Sequence, residues 1–463
     1  MPLSAFVRTS MVLWIGVDDT DSLRGMCTTF LATELIRELT KEHDLIGYPR
    51  LVRLNPNVPW KTRGNGAVCV RIGRGVGEEL TIGYIGDAPV VSHARAAGED
   101  DPLAVRDAVA RVVERWACFQ DEGTNPGFAI LRRPPPQHLY WKAVRDIVTK
   151  REALESARGL GFVKGYKSGR GIIGALAAAS WRPHDRTYEI LAYRHPPRWG
   201  TPRNIDPRSV VEMDQAFPST FNNYDYANAH VVIAPHSPCP VQFGIRGDDP
   251  TVLPHAMEVI RGESPQRAVI FESNQGTDDH VIRTRARRAH TTIRTKGVIT
   301  GVARNLPGGH AVFQLNGHDV IAYEPSKQFR GAVRALLCGD RVEVVAAVRE
   351  VPRTLNLEKL YVLSLVNEVR KLSNPMCPSC GKRAKSKGRN GPFRCIRCGT
   401  RLPRALAEWQ RIPRRLERGW YEPPAGSRRH LSMPLKRMGM GRLDPISSSK
   451  LPSGNETTVA SSR

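Results

Sequence analysis

The sequence predicts a multidomain chain of mixed α/β and α+β architecture, ending in an OB-fold barrel and a C-terminal zinc ribbon. Three observations carry that expectation. A length of 463 residues is more than one hydrophobic core ordinarily serves. The apolar pattern changes along the chain: strand and helix periods alternate through the first 285 residues, then five short strands crowd between 288 and 368. Four of the nine cysteines follow in two C-x2-C pairs.

Residues 11–150 open on "MVLWIGV", a strand pattern that runs into "DDTDS". In the following "TTFLATELIRELTKEHD", Phe30, Leu31, Leu35, Ile36 and Leu39 recur at helical spacing. Residues 151–285 form a second α/β region, opening on the helix-like "REALESA" and on "GYKSGRGIIGALAAAS", whose glycines read as a loop. From 288 to 368, "TKGVITGVA", "HAVFQLNG", "HDVIAYEP", "DRVEVVAAVRE" and "KLYVLSLV" make five strands, with a helical "FRGAVRALLC" between the third and fourth. That order is the layout of an OB-type barrel. The cysteine cluster and a basic segment occupy 369–440, and the Ser-rich end, 441–463, is expected to be disordered. No internal repeat is visible.

The formal charge is +24, from 69 Lys and Arg against 45 Asp and Glu. Residues 371–463 hold 21 basic against 5 acidic side chains, a net +16, so most of the excess sits at the rear. Such a surplus points to a polyanionic partner, nucleic acid above all. No apolar run is long enough to span a bilayer and no signal peptide is apparent, so no membrane partner and a cytoplasmic setting are expected. The five cysteines outside the pairs are scattered, which suits a reducing compartment. Translation could begin at Met11, leaving residues 1–10 as an extension.

"CPSC" (Cys377, Cys380) and "CIRC" (Cys395, Cys398) have metal spacing, and Gly381 and Gly399 follow the second cysteine of each pair to permit the turn. Four thiolates complete a tetrahedral Zn2+ and leave no open position, so this metal is structural. Lysines and arginines around it form a basic face suited to phosphates. In the barrel, Phe313, Tyr323, Phe329 and Tyr361 are candidates for base stacking or for core packing.

Asp18, Asp19 and Asp21 gather at the end of the first strand of a basic protein. Closely spaced carboxylates there suit Mg2+ and nucleotide phosphates; on spacing alone, a capped turn serves equally well. Nearby stand the hydroxyls of Thr28 and Thr29, at the apparent start of a helix whose amides favour anions. "PWKTRGNGAV" adds Lys61, Arg63 and Asn65 between glycines, and the "GYKSGRGIIGALAA" stretch adds Lys167, Gly169, Arg170, Gly171 and Gly174. None of these matches the Walker pattern.

Together, "IGVDDTDSLRGMCTTFLA", "NPNVPWKTRGNGAV", "GYKSGRGIIGALAA", "CPVQFGIRGDDP", "ESNQGTDDH", "AYEPSKQFR", "NLEKLYVLSL" and "RRHLSMPLKR" resemble, in wording and order, the archaeal isoleucine-tRNA 2-agmatinylcytidine synthetases. The resemblance runs from about Met11 to Met438. It implies an N-terminal kinase-like domain that binds ATP and Mg2+, then a ferredoxin-like domain, the OB-fold barrel and the ribbon. It also implies an ATP-dependent ligase acting on the isoleucine tRNA with a CAU anticodon. The wobble cytidine is phosphorylated at its C2 carbonyl, and agmatine displaces the phosphate. The product is 2-agmatinylcytidine, with AMP and phosphate released, and the tRNA then reads AUA. Carried over by motif, Asp18, Asp19 and Asp21 would hold Mg2+ and ATP phosphates, and Thr28 would handle the phosphoryl group. Lys61, Arg63 and Asn65 would hold triphosphate or base, while the Gly169–Gly174 stretch and Asp225 would line the ATP and agmatine site. Asp225 or Asp278 is the expected carboxylate for agmatine. No obligate protein partner is expected. The competing reading is a non-enzymatic single-stranded nucleic-acid-binding protein, in which the aspartates merely cap a helix.

Overall fold

A computed structural model describes residues 12–97, 101–388 and 391–439; the predicted disordered tail and both candidate starts lie outside these residues. An eleven-stranded sheet organises the described residues from Leu13 to Ser273. The strand Leu13–Asp18 lies inside it, third from one edge, antiparallel to Gly66–Ile85 on one side (Ile15 opposite Val70) and to Gly127–Leu131 on the other (Ile15 opposite Ile130). The strand is apolar almost throughout because both of its faces are covered. Helices Thr28–Leu39 and Arg106–Trp116 bury Phe30, Leu31, Leu35, Val109 and Val113 against one face. Helices His138–Arg145 and Gly171–Ser180 bury Tyr140, Leu176 and Trp181 against the other. Each such large side chain contributes about 1.5–3 kcal/mol when fully buried.

Two expectations change. "GRGIIGALAAAS" is not a loop from its first glycine: Gly171–Ser180 is a helix, and Gly171 and Gly174 belong to its first turns. The alanine run favours the helix, and the glycines let it lie against the sheet. A Cβ at Gly174 would collide with the Asp18 carboxylate, and one at Gly171 would meet the carbonyl oxygen of Asp18 at 2.5 Å. Second, the sheet does not break at 150/151. Gly161–Gly165 pairs with Gly127–Leu131, so the first unit extends into the composition change.

The same sheet continues into the second half. Arg267–Ser273 runs parallel to Arg50–Arg53 and antiparallel to Thr187–Tyr193, which in turn pairs with Val241–Gly247. Helices Pro207–Ala216 and Leu253–Val259 pack Val210, Met213 and Leu253 over this half. Each of the five strands expected after 288 is present: Thr292–Leu306, His310–Leu315, His318–Ala322, Arg341–Val348 and Leu355–Ser364. First pairs with second, second with third, third in parallel with fifth, fifth with fourth and fourth with first, which closes a ring. Helix Phe329–Arg334 lies between the third and fourth strands. Phe313 and Phe329 are core residues, and Tyr361 packs on Trp420 at 4.9 Å.

The segment 369–440 divides in two. Short strands carry the cysteines, after which Gly419–Tyr421 joins the barrel beside Leu355–Ser364. Residues 422–439 then return as a strap across the large sheet. Leu431 is buried in the first unit's core, and Arg437 reaches Asp185 at 2.6 Å and Asp248 at 2.6 Å. Among the described residues, no helix is long and apolar enough to cross a membrane.

Candidate active site

Where the two halves of the sheet meet, a cavity of about 520 Å³ opens. Its walls come from the end of the first strand, the start of helix Thr28–Leu39, the 60–66 loop, helix Gly171–Ser180, the second-half strands and the strap. Asp18, Asp19, Asp21, Thr28, Lys61, Arg63, Asn65, Arg170 and Gly174 all line it, although 156 positions separate the first from the last.

The three aspartates differ. Asp19 sits at φ 57°, a left-handed conformation that turns the chain sharply after the strand, and accepts from Arg170 Nη2 at 3.1 Å. Asp21 accepts from Arg63 Nε at 2.9 Å. Asp18 has no Lys, Arg or His within ion-pair reach among the described residues; burial first, and then the Asp19 carboxylate, hold its carboxyl well above the usual range. Burial also raises Asp19 and Asp21, with their arginines opposing the shift. Asp18 is the uncompensated member of the trio.

Thr28 is the first residue of its helix, where N–H groups lack intrahelical acceptors, and its hydroxyl accepts from Thr20 Oγ1 at 3.1 Å. Arg63 is a clamp: besides Asp21 it donates to Ser237 Oγ at 2.9 Å and to the carbonyls of Gly25 and Met26, tying the acidic turn to the second half. Lys61 donates to the carbonyl of Pro56, and burial together with Arg429 pushes its ammonium down to about 8. Asn65, at φ 46°, donates to the carbonyl of Asn55 at 2.8 Å.

Four expected residues stand off the cavity wall. Lys167 points to the carbonyls of Asp121 (2.6 Å) and Phe119 (3.4 Å), Gly169 takes a turn at φ 66°, and Gly171 packs on the first strand. Asp225 is buried against Asn228 at 2.7 Å. Asp278 is engaged within the fold: Lys359 donates to both its oxygens, at 2.9 and 2.7 Å, and Met433 N–H adds 2.7 Å.

The cavity holds charges that sequence reasoning passed over: Arg53, Glu189, Arg246, Arg429 and His430. Arg53 has no carboxylate partner among the described residues; it donates to Gln275 Oε1 at 3.3 Å, and burial lowers its pKa. Glu189 accepts from Arg246 at 2.9 Å and Gln275 at 2.5 Å. A signal existed for two of them: Glu189 and Arg246 are each a lone charge inside an apolar strand, in "TYEILAY" and "VQFGIRG".

The cysteines fit zinc. Sγ separations are 3.5 Å for Cys377–Cys398, 3.4 Å for Cys380–Cys395 and 3.7 Å for Cys380–Cys398, near the ~3.8 Å edge of a tetrahedron with ~2.3 Å Zn–S bonds. Gly381 (φ 62°) and Gly399 (φ 80°) close the two turns, each N–H bonding back to the first cysteine of its pair.

Sequence profiles of the TiaS TCKD domain, the TiaS FLD domain and the TiaS C-terminal zinc ribbon domain match residues 14–167, 169–280 and 374–416. The chain is 39% identical over 442 residues to the isoleucine-tRNA 2-agmatinylcytidine synthetase TiaS of Methanocaldococcus jannaschii, covering 92% of this chain and 99% of that protein. It belongs to the TiaS family. The TiaS of Archaeoglobus fulgidus is likewise 39% identical, over 454 residues. Among solved structures, a complex of TiaS with its isoleucine tRNA and ATP superposes with a TM-score of 0.79 at 37% identity. A complex of TiaS with the same tRNA, AMPCPP and agmatine superposes with 0.75 at 35%. Each covers 92% of this chain and 98% of the solved one.

Proposed function

We propose that this chain is an agmatine–tRNA ligase. It conjugates agmatine to the wobble cytidine of the isoleucine tRNA with a CAU anticodon, using ATP, and forms 2-agmatinylcytidine. The near full-length TiaS likeness supports the reaction. One observation in the chain itself carries the site: residues far apart in sequence, from the acidic turn after the first strand to the strap, converge with Asp18 on a single cavity. A non-enzymatic binder has no use for a half-buried carboxylate that lacks an ion-pair partner among the described residues; a nucleotide-processing site does.

We read residues 11–150 together with strand Gly161–Gly165 as the kinase-like catalytic unit, the remainder up to 285 as ferredoxin-like, 288–368 as an OB-fold that binds nucleic acid, and 369–440 as zinc ribbon plus strap. Asp18 and Asp19 suit Mg2+: one carboxylate lacks a cation and its neighbour is only partly offset, and magnesium characteristically takes one or two carboxylates together with phosphate oxygens. When bound, the ion would neutralise charge on the transferring phosphoryl group. Asp21 serves the site through Arg63, whose clamp fixes the acidic turn. Thr28 presents its hydroxyl and the helix-end N–H groups to phosphate. Arg53, which lacks an acidic partner, suits the same charge. Phosphorylation of the C2 oxygen converts a poor leaving group into a good one, so that the amine can displace it.

Incubating the tRNA transcript with ATP, Mg2+ and agmatine, and measuring the mass of the wobble nucleoside, tests this directly. The agmatine adduct is expected only when all components are present. An unmodified cytidine in the complete mixture would refute the assignment.

A further inference from the structure

The strap's "RRH" closes one wall of the cavity, and its histidine has had no role so far. His430 is held firmly at the backbone. Its carbonyl accepts from Gly276 N–H at 2.8 Å, and the next carbonyl, of buried Leu431, accepts from Asp278 N–H at 2.8 Å. Its ring is free by contrast. Neither ring nitrogen bonds to a protein group among the described residues, and the ring edge lies over Gly64, where a Cβ would stand 3.2 Å from Cδ2 and Nε2. His430 retains large accessible surface although it lies deep in the molecule, because that surface is cavity wall.

Three arginines face the ring: Arg53 from the Arg50–Arg53 strand, Arg246 from Val241–Gly247 and Arg429 from the strap. The charge of Arg53, then burial, then the other two hold the imidazolium well below its ordinary pKa, so the ring is neutral near pH 7. The other carboxylates and imidazoles of the cavity are engaged, and Lys61 donates to the carbonyl of Pro56: Asp19, Asp21, Glu189 and Asp146 pair with arginines, Asp18 is assigned to the cation, and the exposed His230 and His236 stack on each other at 5.4 Å.

We propose that His430 is the proton acceptor of the second half-reaction, taking a proton from the agmatine nitrogen as that nitrogen bonds to C2 of the phosphorylated cytidine. This rests on the phosphorylated-intermediate reading above. The C2–N bond forms with the nitrogen lone pair. The C2–O bond breaks and its electron pair leaves with phosphate. The nitrogen, briefly cationic, gives one N–H proton to the imidazole. The imidazolium, disfavoured beside Arg53, passes the proton to the departing phosphate, which returns the ring to neutrality.

Two variants test this in the full-length protein: His430→Gln, and His430→Ala with added imidazole. With γ-labelled ATP and tRNA but no agmatine, wild type and His430→Gln should both label the tRNA. On adding agmatine, wild type should exchange label for agmatine, while His430→Gln does so about 100-fold more slowly. Imidazole should restore conjugation by His430→Ala. Conjugation at the wild-type rate in His430→Gln, or equal slowing of labelling and conjugation without imidazole rescue, would overturn the proposal. If wild type itself never carries label, the intermediate is wrong, and imidazole rescue of overall conjugation alone then decides the role of His430.

Discussion

In the barrel, buried acids close on cations: Asp340 meets Arg414 at 2.7 Å, Glu343 meets Arg294 at 2.6 Å and Glu358 meets His280 at 3.0 Å. In the cavity, Asp18 and Arg53 form no ion pair among the described residues, Arg170 and Glu189 acting on them only at longer range, and His430 makes no side-chain hydrogen bond to the described protein. The residue types are the same, but the barrel spends its charges on itself and the cavity keeps them open. A buried charge without a partner costs several kcal/mol unless something else compensates it. That difference separates a scaffold from a site.

Asp18→Asn attacks the contrast at its strongest point. It should reduce conjugation about 1000-fold while tRNA still binds. Its effect on stability should run the other way. Because burial raises the folded-state pKa of Asp18, the favourable contribution of its protonated form is present below the unfolded value near about 4 and is lost as pH rises through the folded value. At neutral pH the ionised group therefore destabilises the fold, and Asp18→Asn should raise the melting temperature. Calorimetry at pH 7 checks this, and a lower melting temperature would deny that Asp18 is uncompensated.

Gly174→Ala moves the same carboxylate without changing its chemistry. The new Cβ collides with Asp18 Oδ2, and a displacement of that size should cost about 100-fold in turnover. Steady-state kinetics at saturating tRNA would show it as a fall in kcat. On the closed-pair side, Asp278→Ala leaves buried Lys359 without its carboxylate and should destabilise by about 3 kcal/mol in a denaturant titration. If Asp278 were instead an agmatine ligand, agmatine KM would rise with stability intact. The smallest effect belongs to the ribbon. Cys380→Ser should release zinc and weaken tRNA binding about tenfold, a loss that shrinks with added salt, while ATP binding persists.

Local pattern made one part of this molecule readable and left another hidden. Helix Thr28–Leu39, the five barrel strands and the knuckle glycines follow from periodicity and spacing, which involve neighbours in sequence. The pairing of Arg267–Ser273 with strands more than 180 residues earlier does not, because strand partners are not written in either strand alone. That pairing builds the cavity, and so Arg53 at a strand end and Glu189 and Arg246 as lone charges in apolar strands escaped notice. The strap escaped for a similar reason: "RRH" looks like one more basic stretch until its return path places it against Gly64. Asp225 and Asp278 were attractive as acids near matched motifs, and both prove to be held by the fold.

The most direct test compares wild type and Asp18→Asn at equal tRNA occupancy, with the wobble nucleoside quantified by mass after a single turnover with ATP and agmatine. Full conversion by wild type and none by the variant is the expected result. Adduct formed by Asp18→Asn at the wild-type rate would contradict the claim that this carboxylate organises the chemistry.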